Sequence, residues 1–273
     1  MRNLSRLARA ATAIGLMTLH FAAPVHAEVA TPTVVLVHGA FAESASWDAV
    51  VRNLRARNYP VIAAANPLRG VKSDAAYVST VVAAVKGPVV LVGHSYGGSV
   101  ISAAAEGMPN VKALVYVAAF APEPGESAAD LSGKFPGSTL GTALAEPVAL
   151  PGGAKDLYIQ QDKFPAQFAA DVAPAAARLM AVAQRPITDA ALAEGAPGAA
   201  WKNVPSWFVY GDRDLNIPPQ ALAFMAQRAK SKKTVVVKGG SHVVMISKPN
   251  AVSRLIIEAA DSVSQKAAHD TAE

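Results

Sequence analysis

Cysteine is absent from the 273-residue chain, and aromatic residues make up only 6% of it. The lack of cysteine excludes a thiol nucleophile, any disulfide and a lipid anchor on an N-terminal cysteine. Alanine and valine dominate the hydrophobic residues, which account for 52% of the sequence. A chain of this length can form one large domain with a full hydrophobic core.

The excess of positive charge is small once its position is considered. The formal net charge is +5, but Arg2, Arg6 and Arg9 supply three of these charges in a segment of 27 residues without an acid. The rest of the chain therefore carries +2, which is too little to indicate a nucleic-acid partner.

The N-terminal segment has the order of features that is typical of a signal peptide. A basic start, residues 1–9, is followed by an apolar stretch over residues 10–23 and by small residues before Glu28. We expect residues 1–27 to be removed on export to the periplasm or the medium, with no stable membrane anchor left, because the stretch is short for a membrane span. An N-terminal amphipathic helix on a cytoplasmic protein is the alternative.

A glycine-rich turn links a strand-like run to a helix-like run. Residues 93–97 read Gly-His-Ser-Tyr-Gly, follow the run Pro-Val-Val-Leu-Val and precede an alanine-rich segment. A serine in such a turn exposes its hydroxyl, and the helix that starts there points its amide groups at any anion formed on it. The pattern predicts that Ser95 is a nucleophile; a glycine-rich turn with an incidental serine is the alternative.

A serine nucleophile needs a base, usually histidine, because its hydroxyl is protonated at neutral pH. The predicted base is His242, on a glycine-preceded loop after the strand-like residues 234–237. A histidine that only stabilises this loop is the alternative. The other five histidines lie in the signal peptide, in the polar tail, beside the serine or after the first strand: His20, His26, His269, His94 and His38.

The third catalytic residue is a buried carboxylate that orients the imidazole. For a serine on a strand-to-helix turn, the acid lies between serine and histidine in chain order. The apolar run at residues 206–210 is followed by Gly211 and two candidates, Asp212 and Asp214. The oxyanion that forms during acyl transfer also needs donors, and the backbone amides of Ala40 and Tyr96 are predicted to supply them.

Together these segments resemble the α/β-hydrolase superfamily, over residues 34–41, 90–98, 210–218 and 240–245. The resemblance covers essentially the whole chain after residue 27. In that superfamily the acid typically ends a Gly-x-x-Asp segment with a proline soon after. Asp214, which Pro218 follows, matches this pattern and is favoured as the acid, and Asp212 is the alternative.

The chain looks closest to small bacterial esterases of the branch that includes plant methylesterases and hydroxynitrile lyases. The lyases typically carry a threonine where Gly39 stands and a lysine where Val243 stands, so both departures favour ester hydrolysis. The resemblance implies no cofactor, and we predict no metal site, because His38 and His94 are accounted for by loop structure. Beside the motifs, Phe41, Phe120, Leu215 and Val243 are predicted to contact the substrate.

Short apolar runs alternate with helical segments, which predicts a parallel sheet with helices on both faces. Strands are expected near residues 33–37, 60–65, 88–93, 111–118, 206–210 and 233–237, and helices near 44–57, 73–86, 95–107, 218–229 and 249–265. The first strand comes so early that we expect an α/β-hydrolase fold with a mostly parallel sheet of about six strands.

The predicted organisation is a core formed by residues 28–120 and 205–266, with an inserted cap at 121–204 and a disordered tail at 267–273. Prolines break the rhythm throughout the cap. Candidates for its pocket-facing side are Leu157, Tyr158, Ile159, Phe164 and Phe168, which could equally fix the cap to the core.

The sequence thus predicts a serine carboxylesterase that acts on a small-molecule ester. A perhydrolase or hydroxynitrile-lyase-like enzyme on the same three residues and a non-catalytic binding protein with this fold are the alternatives. Neither the identity of the ester nor the oligomeric state follows from the sequence.

Overall fold

The computed structural model describes residues 30–270. The predicted signal peptide, residues 1–27, and the last residues of the predicted tail, 271–273, lie outside the described residues. Within the part that is described, no helix has the length and apolar character needed to cross a membrane.

The first half of the chain alternates strands with helices. The strands are valine-rich and consist of almost uninterrupted apolar residues, as expected for strands that are buried on both faces of a sheet. The elements are β1 (Thr33–Val37), a 3₁₀ turn (Ser44–Trp47), α1 (Asp48–Arg55), β2 (Val61–Ala64), α2 (Val71–Ala83), β3 (Val89–His94), α3 (Tyr96–Ala104) and β4 (Val111–Val117).

Residues 118–205 connect β4 to the next strand of the core and include the predicted cap, residues 121–204. Its elements are short, and prolines lie in the first turn of two of its helices, where the missing N–H costs nothing. In order they are α4 (Ala128–Gly133), α5 (Leu140–Ala143), β5 (Val148–Ala149), β6 (Lys155–Leu157), α6 (Phe164–Phe168), α7 (Pro174–Ala183), β7 (Ile187–Thr188), α8 (Asp189–Ala193) and a 3₁₀ turn (Ala200–Lys202).

The chain then returns to the core with β8 (Ser206–Gly211), α9 (Pro219–Arg228), β9 (Lys233–Val237), α10 (Val244–Ser247) and α11 (Pro249–Asp270). The last helix corrects one expectation, because residues 267–270 of the predicted disordered tail are helical. The sequence Lys-Ala-Ala at residues 266–268 has high helix propensity and allows α11 to continue.

The core is a six-stranded sheet in the order β2-β1-β3-β4-β8-β9, and every neighbouring pair is parallel. Helices α1 and α11 pack together, as do α2 and α3, and strands lie between these two layers. This confirms the predicted parallel sheet of about six strands with helices on both faces. Because all six strands run in one direction, the loops that follow them meet at one edge of the sheet. A separate antiparallel sheet, β5-β6-β7, lies within the cap.

Candidate active site

Ser95 occupies a strained turn between β3 and α3. Its backbone angles are φ 53° and ψ −125°, a conformation that residues with a Cβ rarely adopt. The turn is also tight: a Cβ at Gly93 would lie 2.6 Å from the carbonyl oxygen of Gly97, and a Cβ at Gly97 would lie 2.5 Å from that of Val37. The two glycines of the motif are therefore required by packing, while the serine is held with its side chain 7% exposed beside a cavity.

His242 and Asp214 form a buried hydrogen-bonded pair. Nδ1 of His242 lies 2.7 Å from Oδ2 of Asp214, and the two residues are 1% and 2% exposed. The other carboxylate oxygen accepts the backbone N–H groups of Asn216, at 2.8 Å, and Ile217, at 3.0 Å. With its proton on Nδ1, a neutral imidazole presents Nε2 as an acceptor, which is the form that a general base requires.

The second candidate acid, Asp212, serves a different purpose. It is exposed, and its Oδ1 accepts the backbone N–H of Gly239 at 2.6 Å. The loops after β8 and β9 also approach closely, since a Cβ at Gly211 would lie 2.0 Å from the carbonyl oxygen of Gly240. Asp212 thus joins the two loops, and Asp214 is the carboxylate that contacts the imidazole.

The loop after β1 brings a backbone amide towards Ser95. Ala40 and Tyr96 both line the cavity beside the serine, and among the described residues neither backbone N–H donates to another backbone or side-chain group. The loop lies directly on the serine, since a Cβ at Gly39 would be 2.6 Å from the Cβ of Ser95. Phe41, at φ 58°, donates its N–H to the carbonyl oxygen of Arg185 in the cap at 2.9 Å. Two unpaired amides next to a serine can receive an anion.

The remaining buried histidines are neutral and structural. His38 accepts the N–H of Asn66 on Nε2 at 3.1 Å and donates from Nδ1 to the carbonyl oxygen of Gly39 at 2.9 Å. Burial lowers the pKa of His38 to about 4. Nε2 of His94 donates to the carbonyl oxygen of His242 at 3.2 Å, and burial holds the pKa of His94 well below its ordinary value. Its ring centroid lies 4.8 Å from that of His242.

A cavity of about 190 Å³ is lined by Ser95, His242 and residues of the cap. Of the residues predicted to contact substrate, Phe41 and Phe120 line it. Leu215 and Val243 do not. Leu215 is 39% exposed and faces away, with its backbone held by the cap, while Val243 is fully buried behind the histidine.

The cap supplies most of the rest of the wall. Among its predicted pocket-facing residues, only Phe168 lines the cavity. Leu157, Ile159 and Phe164 are buried in the hydrophobic core and fix the cap in place. Tyr158 is half-buried and lies outside the cavity. Among the described residues, the cavity lining contains no Lys, Arg, Asp or Glu. It also includes residues that the sequence did not indicate: Ala128, Ala129, Ser132, Ser138, Leu140, Gly141, Leu144, Leu192, Asn216 and Ile217.

Hydrogen bonds fasten the cap to the loop that carries Asp214. Gln167 donates from Nε2 to the carbonyl oxygen of Leu215 at 2.9 Å and to Oδ1 of Asn216 at 3.2 Å. Ser138 donates to the carbonyl oxygen of Asn216 at 2.9 Å. These bonds attach the cap to the loop of Asp214.

Nothing in the described part of the chain forms a metal centre, since no three histidine or acidic side chains of residues 30–270 converge around a common point. The chemistry that this arrangement can perform comes from the serine, the imidazole, the carboxylate and the two amides. A nucleophile with a base, an orienting acid and donors for an oxyanion is the set required for acyl transfer.

Comparison with known proteins gives consistent results. A family model described as the alpha/beta hydrolase family matches residues 34–255. The alpha/beta hydrolase nvfD of Aspergillus novofumigatus (strain IBT 16806) is 26% identical over 249 residues, which cover 84% of this chain and 96% of that protein.

Several solved structures share the fold, among them an esterase and a hydrolase. Polyneuridine aldehyde esterase superposes with a TM-score of 0.73 at 18% identity, over 84% of this chain and 99% of that one. A pyrethroid hydrolase from Sphingobium faniae JZ-2 superposes with a TM-score of 0.66 at 23% identity, over 84% and 97%. At these identities the likeness shows a common fold and does not transfer a substrate.

Proposed function

The chain belongs to the alpha/beta hydrolase family, and from this premise we propose that it is a serine carboxylesterase that cleaves small uncharged esters. The observation that carries the proposal is the hydrogen bond between His242 and Asp214, formed at the cavity into which Ser95 faces. The names of the fold's relatives, which include an esterase and a hydrolase of pyrethroids, are consistent with this chemistry.

In the first half of the reaction, Oγ of Ser95 attacks the ester carbonyl carbon while Nε2 of His242 takes the hydroxyl proton. Asp214 stabilises the imidazolium that results and keeps the proton on Nδ1 in place. The carbonyl oxygen becomes an oxyanion and accepts hydrogen bonds from the backbone amides of Ala40 and Tyr96. Transfer of the proton from Nε2 to the departing alkoxide releases the alcohol and leaves Ser95 acylated.

In the second half, a water molecule takes the place of the alcohol. His242 removes a proton from the water, whose oxygen attacks the acyl carbon and forms a second oxyanion at the same two amides. The tetrahedral species then collapses, the bond to Oγ of Ser95 breaks, and His242 returns its proton to the serine. The carboxylic acid is the second product.

The cavity supports the restriction to uncharged esters. Its lining holds apolar side chains and a few hydroxyl and amide groups, without a formal charge to pair with an ionised substrate group. Transfer of an unpaired charge into such a site costs several kcal/mol. The small volume of about 190 Å³ favours a short acyl or alcohol group on the cap side.

The proposal is tested with p-nitrophenyl esters and a fluorophosphonate probe. We expect hydrolysis of short esters, stoichiometric labelling of Ser95, and the loss of both in Ser95→Ala at an unchanged thermal midpoint. Ser99→Ala is a matched control, because Ser99 lies on α3 with a buried hydroxyl that has no partner in the described structure. A Ser95→Ala protein that hydrolyses the esters at the parental rate would refute the mechanism.

The same assay separates the alternative chemistries. Peroxide-dependent peracid formation that exceeds hydrolysis would favour a perhydrolase, and release of cyanide from a cyanohydrin would favour a lyase. A folded protein that is not labelled at all would favour a non-catalytic binding protein.

We also propose that the protein is exported, on the basis of residues 1–27. Cell fractionation followed by N-terminal sequencing tests this proposal, with a mature protein that begins at Glu28 as the expected result.

A further inference from the structure

One short segment of the cap contacts the loop of His242 at two points. The ring centroid of Phe168 lies 5.0 Å from that of His242. Three residues later, the carboxylate of Asp171 accepts a hydrogen bond from the hydroxyl of Ser241, the residue that precedes His242. Residues 168–171 therefore hold both the imidazole ring and the backbone that carries it.

The bond between Ser241 and Asp171 is partly buried and is not part of the proposed chemistry. Ser241 is 2% exposed, and the second carboxylate oxygen of Asp171 is buried without a partner in the described structure. A buried polar atom without a partner is unfavourable, so the carboxylate depends on its bond to Ser241. A hydrogen bond from a hydroxyl to a carboxylate is about twice as strong as one between neutral groups.

We propose that Asp171 is a positioning residue for His242 and acts through Ser241. This inference rests on the proposed function, since it assigns a role in the same reaction. Three hydrogen bonds then fix the base and its loop: Asp214 on Nδ1, His94 on the carbonyl oxygen and Asp171 on the preceding residue. The first two come from the core and the third comes from the cap, so the contact with the cap completes the alignment of the base.

The expected effect follows from how strongly catalysis depends on geometry. A displacement of about 1 Å in a catalytic group can reduce the rate about 100-fold. Asp171 does not line the cavity, so its loss affects the orientation of the base more than substrate binding. We expect Asp171→Ala to lower kcat by roughly 10- to 100-fold and to change KM by less than about threefold.

Further variants distinguish this role from a general effect on folding. Ser241→Ala removes the donor of the same bond and is expected to match Asp171→Ala, while the double variant is no worse than either single one, because all three lose one interaction. Asp171→Asn keeps an oxygen that accepts the serine hydroxyl and is expected to recover most of the lost kcat.

Asp156→Ala is the matched control. Asp156 is also a carboxylate of the cap that bonds to the core, at 2.6 Å from Arg69, but it lies on β6 and does not touch the His242 loop. We expect its kcat to stay within about threefold of the parent. Amide hydrogen exchange adds a readout that is independent of activity: residues 239–243 should exchange faster in Asp171→Ala and Ser241→Ala than in Asp156→Ala.

Two results would overturn the inference: a kcat of Asp171→Ala within twofold of the parent, or losses in the two single variants that multiply in the double variant. If Asp171→Ala does not fold, Ser241→Ala and Asp171→Asn make the same comparison. A parental protein without esterase activity would refute the proposed function instead, and hydrogen exchange of residues 239–243 would then decide the inference, with unchanged exchange counting against it.

Discussion

Replacement of Asp214 by asparagine changes a single oxygen into an NH₂ group and leaves the shape of the site intact. In the parent, Oδ1 accepts two backbone amides, at 2.8 and 3.0 Å, and Oδ2 receives Nδ1 of His242 at 2.7 Å. An asparagine must direct its oxygen towards one of these sides and its NH₂ group towards the other.

The two backbone donors decide the orientation. If the NH₂ group faced the amides of Asn216 and Ile217, two buried N–H groups would lose their acceptor, at a cost of about 1 to 3 kcal/mol each. Even the lower figure, about 2 kcal/mol for the pair, favours the other orientation about 30-fold. The NH₂ group therefore faces His242 and donates to Nδ1, which forces the proton of the imidazole onto Nε2.

An imidazole with its proton on Nε2 cannot accept the proton of Ser95. We expect Asp214→Asn to lower kcat by about 10³- to 10⁴-fold, as the wrong tautomer does in serine proteases, with little change in KM. Hydrolysis of p-nitrophenyl butyrate gives both constants, and ¹⁵N NMR of His242 reports the tautomer. An Asp214→Asn protein that keeps its Nδ1 proton, or a kcat within tenfold of the parent, would show that the reasoning is wrong.

Three further predictions follow from the geometry. Gly39→Ala places a Cβ 2.6 Å from that of Ser95 and should displace the loop of Ala40, so we expect kcat to fall by about 10²- to 10³-fold. Gly133→Ala adds a Cβ in open space and should leave kcat unchanged. Equal kcat values for the two variants would contradict this prediction. The pKa of His38 is about 4 in the folded protein and about 6.5 in the unfolded chain, so only the unfolded chain binds its proton between these values. The titration of His38 should therefore lower the free energy of unfolding by about 2 kcal/mol from pH 7 to pH 5. Urea unfolding of the parent and of His38→Gln measures this contribution, and equal pH profiles of the two proteins would refute it. Finally, the mono-p-nitrophenyl ester of succinate should have a kcat/KM at least about 100-fold below that of the butyrate ester, because its carboxylate finds no counter-charge in the cavity; equal values would exclude this account of the pocket.

The core of the fold could be predicted because burial leaves a strong pattern in its sequence. Strands such as β1 and β3 are buried on both faces, so they are continuous valine-rich runs that differ from the helices between them. The end of α11 was predicted too early, because the polar composition of the last residues indicated a frayed tail. Helix propensity and continuity with the preceding turns keep residues 267–270 helical.

The part of the candidate site that depends on local geometry could be predicted from the sequence. The turn around Ser95 requires glycines at fixed positions, and this requirement appears as a motif. Leu215 and Val243 do not line the cavity. Adjacency in sequence to a site residue does not determine which way a loop side chain points. The bond between Ser241 and Asp171 joins residues 70 positions apart and leaves no pattern in either neighbourhood.

The position of the cap has a consequence for the order of folding. Strands β1 to β4 are joined by crossovers of ordinary length, but β8 pairs with β4 only after the chain has closed a loop formed by residues 118–205. Relative to the crossovers of 16 to 24 residues that join the first four strands, closure of this loop costs about 1 to 1.5 kcal/mol more in chain entropy. We therefore expect the first four strands to form the nucleus, with β8 and β9 added late. Because Asp214 and His242 follow these last two strands, the serine and its turn form before the residues that would activate it.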